Sequence, residues 1–142
     1  MKYLSLCSGI EAASTAWHSL GWQPVAFSEI EPFPSAVLAH HYPDTPNWGD
    51  MTKFKEWPDA DVDVLVGGTP CQSFSVAGLR KGLADPRGNL MLTYLAIAAK
   101  YQPQWLVWEK CPRRPVIKQR TGFWNLPRGV GRTRVWVLME KP

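Results

Sequence analysis

The chain has 142 residues, 45% of them hydrophobic and 20% charged, with a net charge of +4. This is about one domain with room for a sizeable core, in the proportions of an ordinary globular protein. No apolar run approaches the roughly 20 residues of a membrane span. The start, Met1–Cys7, is too short and wrongly flanked for a signal peptide, so a cytoplasmic protein with no membrane partner is expected.

Strand-like and helix-like segments then alternate. Tyr3–Leu6 is a short apolar strand, and Glu11–Leu20 has helical spacing with Ala12, Ala13, Ala16, Trp17 and Leu20 apolar, closed by Gly21. Pro24–Phe27 reads as a second strand leading to Glu29 and Glu31, and Phe33–His41 as a second helix stopped before Pro43. Asp61–Val66 is a strand whose apolar end fits a parallel sheet buried on both faces. Asn89–Tyr101 is a third helix and Gln104–Trp108 a further buried strand. Alternation at this spacing implies right-handed crossovers and an α/β fold with parallel strands and helices on both faces. From Lys110 the rhythm fails, and only Val135–Met139 reads as a strand.

Charge changes at the same place. Residues 1–109 hold 7 basic and 11 acidic residues, a net of −4, and residues 110–142 hold 9 basic and 1 acidic, a net of +8. A basic tail on an acidic body can be a nucleic-acid arm, or it can be sequence not selected with the body. Cys7, Cys71 and Cys111 lie far apart, with no C-x-x-C pair. The odd count argues against a disulfide framework. His18, His40 and His41 lack metal-ligand spacing and belong on helix surfaces, so no metal is expected.

In open α/β sheets ligands bind beyond the carboxyl ends of the strands. Four such ends carry suggestive residues. The first strand runs into Cys7-Ser8-Gly9-Ile10-Glu11, a turn of small residues entering a helix, and the second into Glu29, where a carboxylate can take both hydroxyls of a ribose. Gly49-Asp50 ends the next segment. Val64–Gly68 then gives way to Thr69-Pro70-Cys71, which offers a thiol on a proline-fixed loop. Each is weak alone: a carboxylate at a strand end is commonly just solvated, and a cysteine after a strand is commonly a small core residue.

Together and in order, these segments resemble the cytosine-5 DNA methyltransferases of phages and restriction–modification systems. Ser5-Leu6-Cys7-Ser8-Gly9-Ile10-Glu11-Ala12-Ala13 is similar to their first motif, with Glu11 and Ala12 where the commoner form has glycines. Phe27–Glu31 resembles the second motif, Gly49-Asp50-Met51 the third, Gly68–Ser75 around Cys71 the fourth and most specific, Arg87-Gly88-Asn89-Leu90 the fifth, and Trp108-Glu109 the opening of the sixth. The resemblance implies a Rossmann-like fold that binds S-adenosylmethionine and methylates C5 of cytosine in double-stranded DNA, with the base flipped out of the stack. It makes Cys71 the nucleophile that adds to C6, and Glu109 the group that holds the N3 edge. It assigns Glu29 to the ribose, Asp50 to the adenine amino group, and Cys7, Gly9 and Ile10 to the methionine end. Ile30, Met51, Pro70 and Leu90 complete the implied cofactor contacts.

After Glu109 the family continues Asn-Val-Pro-Gly, whereas this chain has Lys110-Cys111-Pro112-Arg113. An added adenine near that point would displace the frame. Codons compatible with residues 110–142 then permit a reading that begins Glu-Asn-Val-Pro-Gly and continues in the family's manner. Residues 1–109 are accordingly read as a partial catalytic and cofactor-binding domain, and 110–142 as an aberrant basic tail that leaves the sheet incomplete and the chain inactive alone. Arg132-Thr133-Arg134-Val135-Trp136-Val137 mimics a later motif of the family, which leaves open a miniature enzyme with that motif brought closer. A tRNA cytosine-5 methyltransferase and a non-catalytic S-adenosylmethionine-binding remnant also stay open.

Overall fold

The computed structural model describes residues 1–69, 89–110 and 134–139, with Asn89, Glu109, Lys110 and 134–139 described by their backbone. The strands are β1 (Lys2–Leu6), β2 (Gln23–Ser28), β3 (Val64–Gly68), β4 (Trp105–Lys110) and β5 (Arg134–Met139), and the helices are α1 (Ala12–Trp17), α2 (Pro32–His41) and α3 (Asn89–Tyr101). Short 3₁₀ turns cover His18–Leu20 and Met51–Glu56. The strands form one sheet in the order β2-β1-β3-β4-β5, and every pairing is parallel.

The expected parallel α/β sheet is therefore present, with small shifts of boundary. The third strand begins at Val64, not Asp61. Asp61 is exposed beside Lys2, and the Asp63 carboxylate accepts from the Lys2 backbone N–H at 2.7 Å, so these residues fasten the entry to β1 instead of lying in the sheet. The strand expected over Val135–Met139 is β5, and it pairs along its length with β4.

Why the strands are apolar on both faces follows from what covers them. Leu4 and Leu6 of β1 belong to one core with Ala26, Met51, Trp57, Leu65, Tyr94, Ile97 and Leu106, so the 3₁₀ turn Met51–Glu56 and α3 cover that face. Lys100 and Tyr101 seal the far end of α3: Lys100 donates to the Trp57 carbonyl at 2.6 Å and Tyr101 to that of Pro58 at 2.8 Å. Side chains alternate along a strand, so Tyr3 and Ser5 face the other way. Tyr3 meets Trp17 of α1 edge-on at 5.1 Å, and its hydroxyl bonds to Ser14.

That second face corrects the apolar stripe expected of the first helix. Ala12, Ala16 and Leu20 are exposed, and the buried residue of α1 is Ser14. Helical geometry ends at Trp17 and tightens into the 3₁₀ turn, which Gly21 closes with φ 68°. Glu11, just ahead of α1, is 1% exposed. The α1 side of β1 is thus held by a polar group, Tyr3, Ser5, Glu11 and Ser14.

The edge beside β2 carries one further feature. Phe27 donates its N–H to the Pro46 carbonyl at 2.9 Å, and its carbonyl accepts from Trp48 at 2.8 Å. This one-residue parallel bridge to Asn47 acts as a rudimentary strand outside β2.

Candidate active site

The carboxyl ends of β1, β2, β3 and β4 lie along one edge of the sheet. The chain leaves β1 on one side to reach β2 and returns to β3 on the other, so the topological switch point lies between β1 and β3. Gly67 of β3 makes that meeting possible. A Cβ there would collide with the Leu6 backbone and come within 2.9 Å of the Leu6 Cβ.

The turn after β1 is unusual. Cys7, Gly9 and Glu11 all have left-handed backbones, with φ 50°, 56° and 69°. Two are not glycine, and each such residue costs on the order of 1 kcal/mol. Hydrogen bonds over-determine the shape. The Ser8 hydroxyl donates to the Ser5 carbonyl at 2.9 Å, Glu11 N–H to the Ser8 carbonyl at 2.9 Å, and Ser8 N–H to the Ser28 carbonyl at 3.2 Å. The Glu11 carboxylate accepts from Ser14 N–H at 3.0 Å and so caps α1. Its other oxygen is buried without a well-placed partner among the described residues. Burial pushes this carboxyl above its ordinary range, only partly offset by the Ser5 and Ser14 hydroxyls and the Ser14 N–H.

Glu29 joins this turn to β2. Its Oε2 accepts from Gly9 N–H at 2.8 Å, and its Oε1 from the N–H groups of Ile30 and Glu31 at 2.8 and 2.9 Å. The carboxylate is therefore fixed in place, and Oε2 keeps a lone pair for a further donor. Asp50 is built likewise. One oxygen accepts from both the N–H and the hydroxyl of Thr52, at 2.9 and 2.8 Å, and these bonds hold the carboxyl below its ordinary range. The other oxygen meets no donor among the described residues. Cys7 and Met51 touch sulfur to sulfur at 3.6 Å. Burial, with the nearby Glu29 charge, pushes the Cys7 thiol up to about 11, so at neutral pH it is an inert thiol and not a nucleophile.

The structure thus brings Cys7 against Met51 and Gly9 against Glu29 around one turn, with Asp50 next to Met51. Ile10 and Ile30 stand at the rim, 65% and 67% exposed. Leu90 packs against the core at the start of α3. Pro70 and Cys71 lie outside the described residues, as does the Glu109 side chain. The backbone register is clear: Glu109 sits opposite Gly68, so the β3 end that leads to Cys71 and the β4 end that carries Glu109 are neighbours. Trp108 Nε1 donates to the Thr69 hydroxyl at 3.3 Å and ties those two ends together.

Sequence reasoning missed Ser8, Ser28 and Asn47, which hold the ends of β2, and the buried role of Glu11. Pro46-Asn47-Trp48-Gly49 is a turn composition, but nothing in it points to residue 29. His18, His40 and His41 are exposed, and no group suited to a metal occurs among the described residues. No described helix is long and apolar enough to cross a membrane. A concavity of about 600 Å³ lies at the opposite, amino end of the sheet beside Lys2, Asp61 and Asp63, and holds none of the expected site residues.

A parallel sheet with a carboxylate at the end of its second strand, a second carboxylate one bridge further out and a tight turn at the end of its first strand places the chain among the open α/β proteins with acidic groups at the carboxyl edge of the sheet. The particular family follows from comparison. Residues 1–113 match the family model for C-5 cytosine-specific DNA methylases, and the chain belongs to that family, whose members depend on S-adenosylmethionine. A DNA N-6-adenine-methyltransferase of Escherichia phage P1 is 53% identical over 123 residues, covering 78% of this chain and 16% of that protein. The orphan methyltransferase M.Rho11sI of Bacillus phage rho11s is 40% identical, covering 77% and 22%. The type II methyltransferase M.NgoBV of Neisseria gonorrhoeae is 34% identical, covering 77% and 27%. The chain therefore spans 16% to 27% of the length of these relatives. A solved Escherichia coli structure, named as a DNA modification methyltransferase encoded within a prophage, shares the fold with a TM-score of 0.57 at 23% identity, over 73% of this chain and 30% of that one.

Proposed function

We propose that the chain is the cofactor-binding and catalytic body of a DNA cytosine-C5 methyltransferase. The observation that supports this most is the β3–β4 register, which sets the strand end leading to Cys71 beside the strand end carrying Glu109. A nucleophile and an acid on adjacent strand ends can approach one flat ring from its face and its edge.

The site residues fit the cofactor. Glu29 has a lone pair left for a ribose hydroxyl, Asp50 has an oxygen left for an amino group, and Cys7, Gly9 and Ile10 border the turn where the methionine end would lie, with Ile30, Met51 and Leu90 in the surround; Pro70 is assigned there by the motif alone. S-adenosylmethionine supplies an electrophilic methyl group. Cytosine C5 is a poor nucleophile by itself. The Cys71 thiolate adds to C6, forming an S–C6 bond and shifting the ring's electron pair toward C5, while Glu109 hydrogen-bonds N3 and stabilises the adduct. C5 then bonds the methyl group as its bond to sulfur breaks. Loss of the C5 proton to solvent and of the thiolate restores the ring and the free cysteine. The base must leave the double-stranded stack for this chemistry. The phage P1 relative is named for N6 of adenine. An amino nitrogen brings its own lone pair and needs no thiolate addition to a ring carbon, so a cysteine three residues beyond β3 favours the C5 reaction.

Residues 1–109 are the methyltransferase body in this reading, and 110–142 are out of frame with it. The break in charge and the end of the family match at residue 113 support the boundary. Sequencing the coding DNA around Glu109 tests it. A second reading, a miniature enzyme, is favoured by one observation: Arg134–Met139 of the tail continues the sheet as β5.

The test uses labelled S-adenosylmethionine with DNA carrying 5-fluorocytosine, which has no C5 proton to lose. The chain alone is expected to transfer no methyl group, and its frame-restored version to form a covalent DNA complex that Cys71→Ser abolishes. Methyl groups found on N6 of adenine would overturn the proposal. A Cys71-dependent covalent complex formed by the chain alone would instead establish the miniature.

A further inference from the structure

We propose that Asn47 is a positioning residue that sets the Glu29 and Asp50 carboxylates relative to each other, and so lets the protein read the ribose and the purine amino group at the same time. This rests on the reading of Glu29 and Asp50 as cofactor ligands.

The amide of Asn47 uses all its principal hydrogen-bonding positions. Oδ1 accepts from the backbone N–H groups of Glu29 and Gly49, both at 3.0 Å. Nδ2 donates to the Glu29 carbonyl at 3.0 Å and to the Ser35 hydroxyl of α2 at 3.3 Å. The arrangement also fixes which end of the amide is which, because a flipped amide would face two N–H donors with its own NH₂.

The geometry says why an amide is needed. Backbone pairing outside β2 stops after Phe27, which bonds to Pro46 and Trp48. Two residues on, Glu29 presents its N–H and carbonyl on the same side, where a continuing strand would receive them. The chain turns away instead at Gly49, with φ 70°. The side chain of Asn47 takes the place of the missing peptide. On the inner side Ser8 does the same for Ser28, donating its N–H to the Ser28 carbonyl and accepting the Ser28 N–H on its hydroxyl, both at 3.2 Å. The end of β2 is thus gripped from both flanks.

Asn47 also links this grip to the second carboxylate, and it alone among the described side chains bonds the main chain at both residue 29 and residue 49. It holds Gly49 by the N–H while the Ser28 hydroxyl donates to the Gly49 carbonyl at 2.6 Å, leaving the residue before Asp50 no freedom to shift. One small side chain therefore ties the main chain at residue 29 to the main chain next to residue 50. A misplacement of about 1 Å between groups that share a ligand is costly.

The experiment measures binding by the purified chain, below its melting temperature, of S-adenosylhomocysteine and two analogues: its 2′-deoxy form, and S-inosylhomocysteine, which lacks the amino group. Wild type is expected to favour the parent compound over both. Asn47→Ala is expected to weaken the parent by about tenfold or more, as for one or two lost hydrogen bonds to a fixed group, and to bring both ratios toward one. Asn47→Asp keeps the two N–H acceptors and gives a second reading if the alanine variant does not fold; its ratios should fall between the two. A variant that binds within twofold of wild type, or binds weakly with both ratios unchanged, would overturn the proposal, the latter because a merely structural role lowers all three affinities alike. No binding by wild type would refute the cofactor reading itself, and this inference with it.

Discussion

The two faces of β1 differ in what holds them. On the side of α3, Leu4 and Leu6 enter a predominantly apolar core with Leu65, Ile97 and Leu106. On the side of α1, Tyr3 and Ser5 meet Ser14 and the buried carboxyl of Glu11. Dispersion and burial of area tolerate small shifts, whereas a hydrogen-bonded group is directional. The directional face lies under the turn with three left-handed residues, and the adaptable face lies where only bulk must be excluded. Polar burial here serves placement of the turn, at some expense in stability.

The comparison can be broken most severely on the apolar side. Leu65→Ala leaves a cavity in a site that is fully enclosed, and should cost about 2–5 kcal/mol by urea unfolding. If Leu65→Ala costs less than about 1 kcal/mol, that face is not the main source of stability.

Glu29→Ala removes the carboxylate that links the β1 turn to β2. It should weaken S-adenosylmethionine binding by about 1.5–3 kcal/mol, the range for a hydrogen bond to a charged group. Unchanged affinity by calorimetry would remove Glu29 from the site.

Glu11→Gln sharpens the comparison through pH. Burial raises the native pKa of Glu11, so the folded chain holds this proton at a pH where the unfolded chain has released it. Its contribution to stability is then fully present in acid and falls as pH rises from the ordinary carboxylate range to the raised native value. Asp50 is held low by Thr52 and acts in the opposite sense, losing its contribution as pH falls. Melting temperature against pH should therefore decline less, as pH rises above the ordinary carboxylate range, in Glu11→Gln than in wild type. Parallel curves would show that the carboxyl is not titrating from a buried state.

The smallest effect concerns Cys7. With Cys71 and Cys111 replaced by serine, alkylation of the remaining thiol should be slow at pH 8 and rise steeply toward pH 11, near its raised pKa. Rapid labelling at pH 8 in the folded protein would contradict its burial.

The strands and α3 were legible because hydrophobic pattern alone encodes them: Val64–Val66 and Leu106–Val107 are apolar on successive residues, the mark of a sheet covered on both faces. The stripe on the first helix misled because Ser14 and Glu11 are buried by hydrogen bonding, which leaves no trace in an apolar period. The 3₁₀ turn Met51–Glu56 has a break in helical geometry at Lys53 and no period to detect. Motif order named the carboxylates and the turn, but not what holds them. Asn47 reaches Glu29 across 18 positions of sequence, a relation that exists only once β2 and the bridge are in register.

The rudimentary strand at Asn47 has a consequence for solubility. A parallel sheet with a bare edge is a template on which another chain can add. Beside β2 that template is spent from Phe27 onward, first by Pro46 and Trp48 and then by the Asn47 amide, which occupies the N–H and carbonyl of Glu29. A bridge of one residue is too short to recruit a further strand, and where an incoming chain would bond, the protein's own side chain already stands.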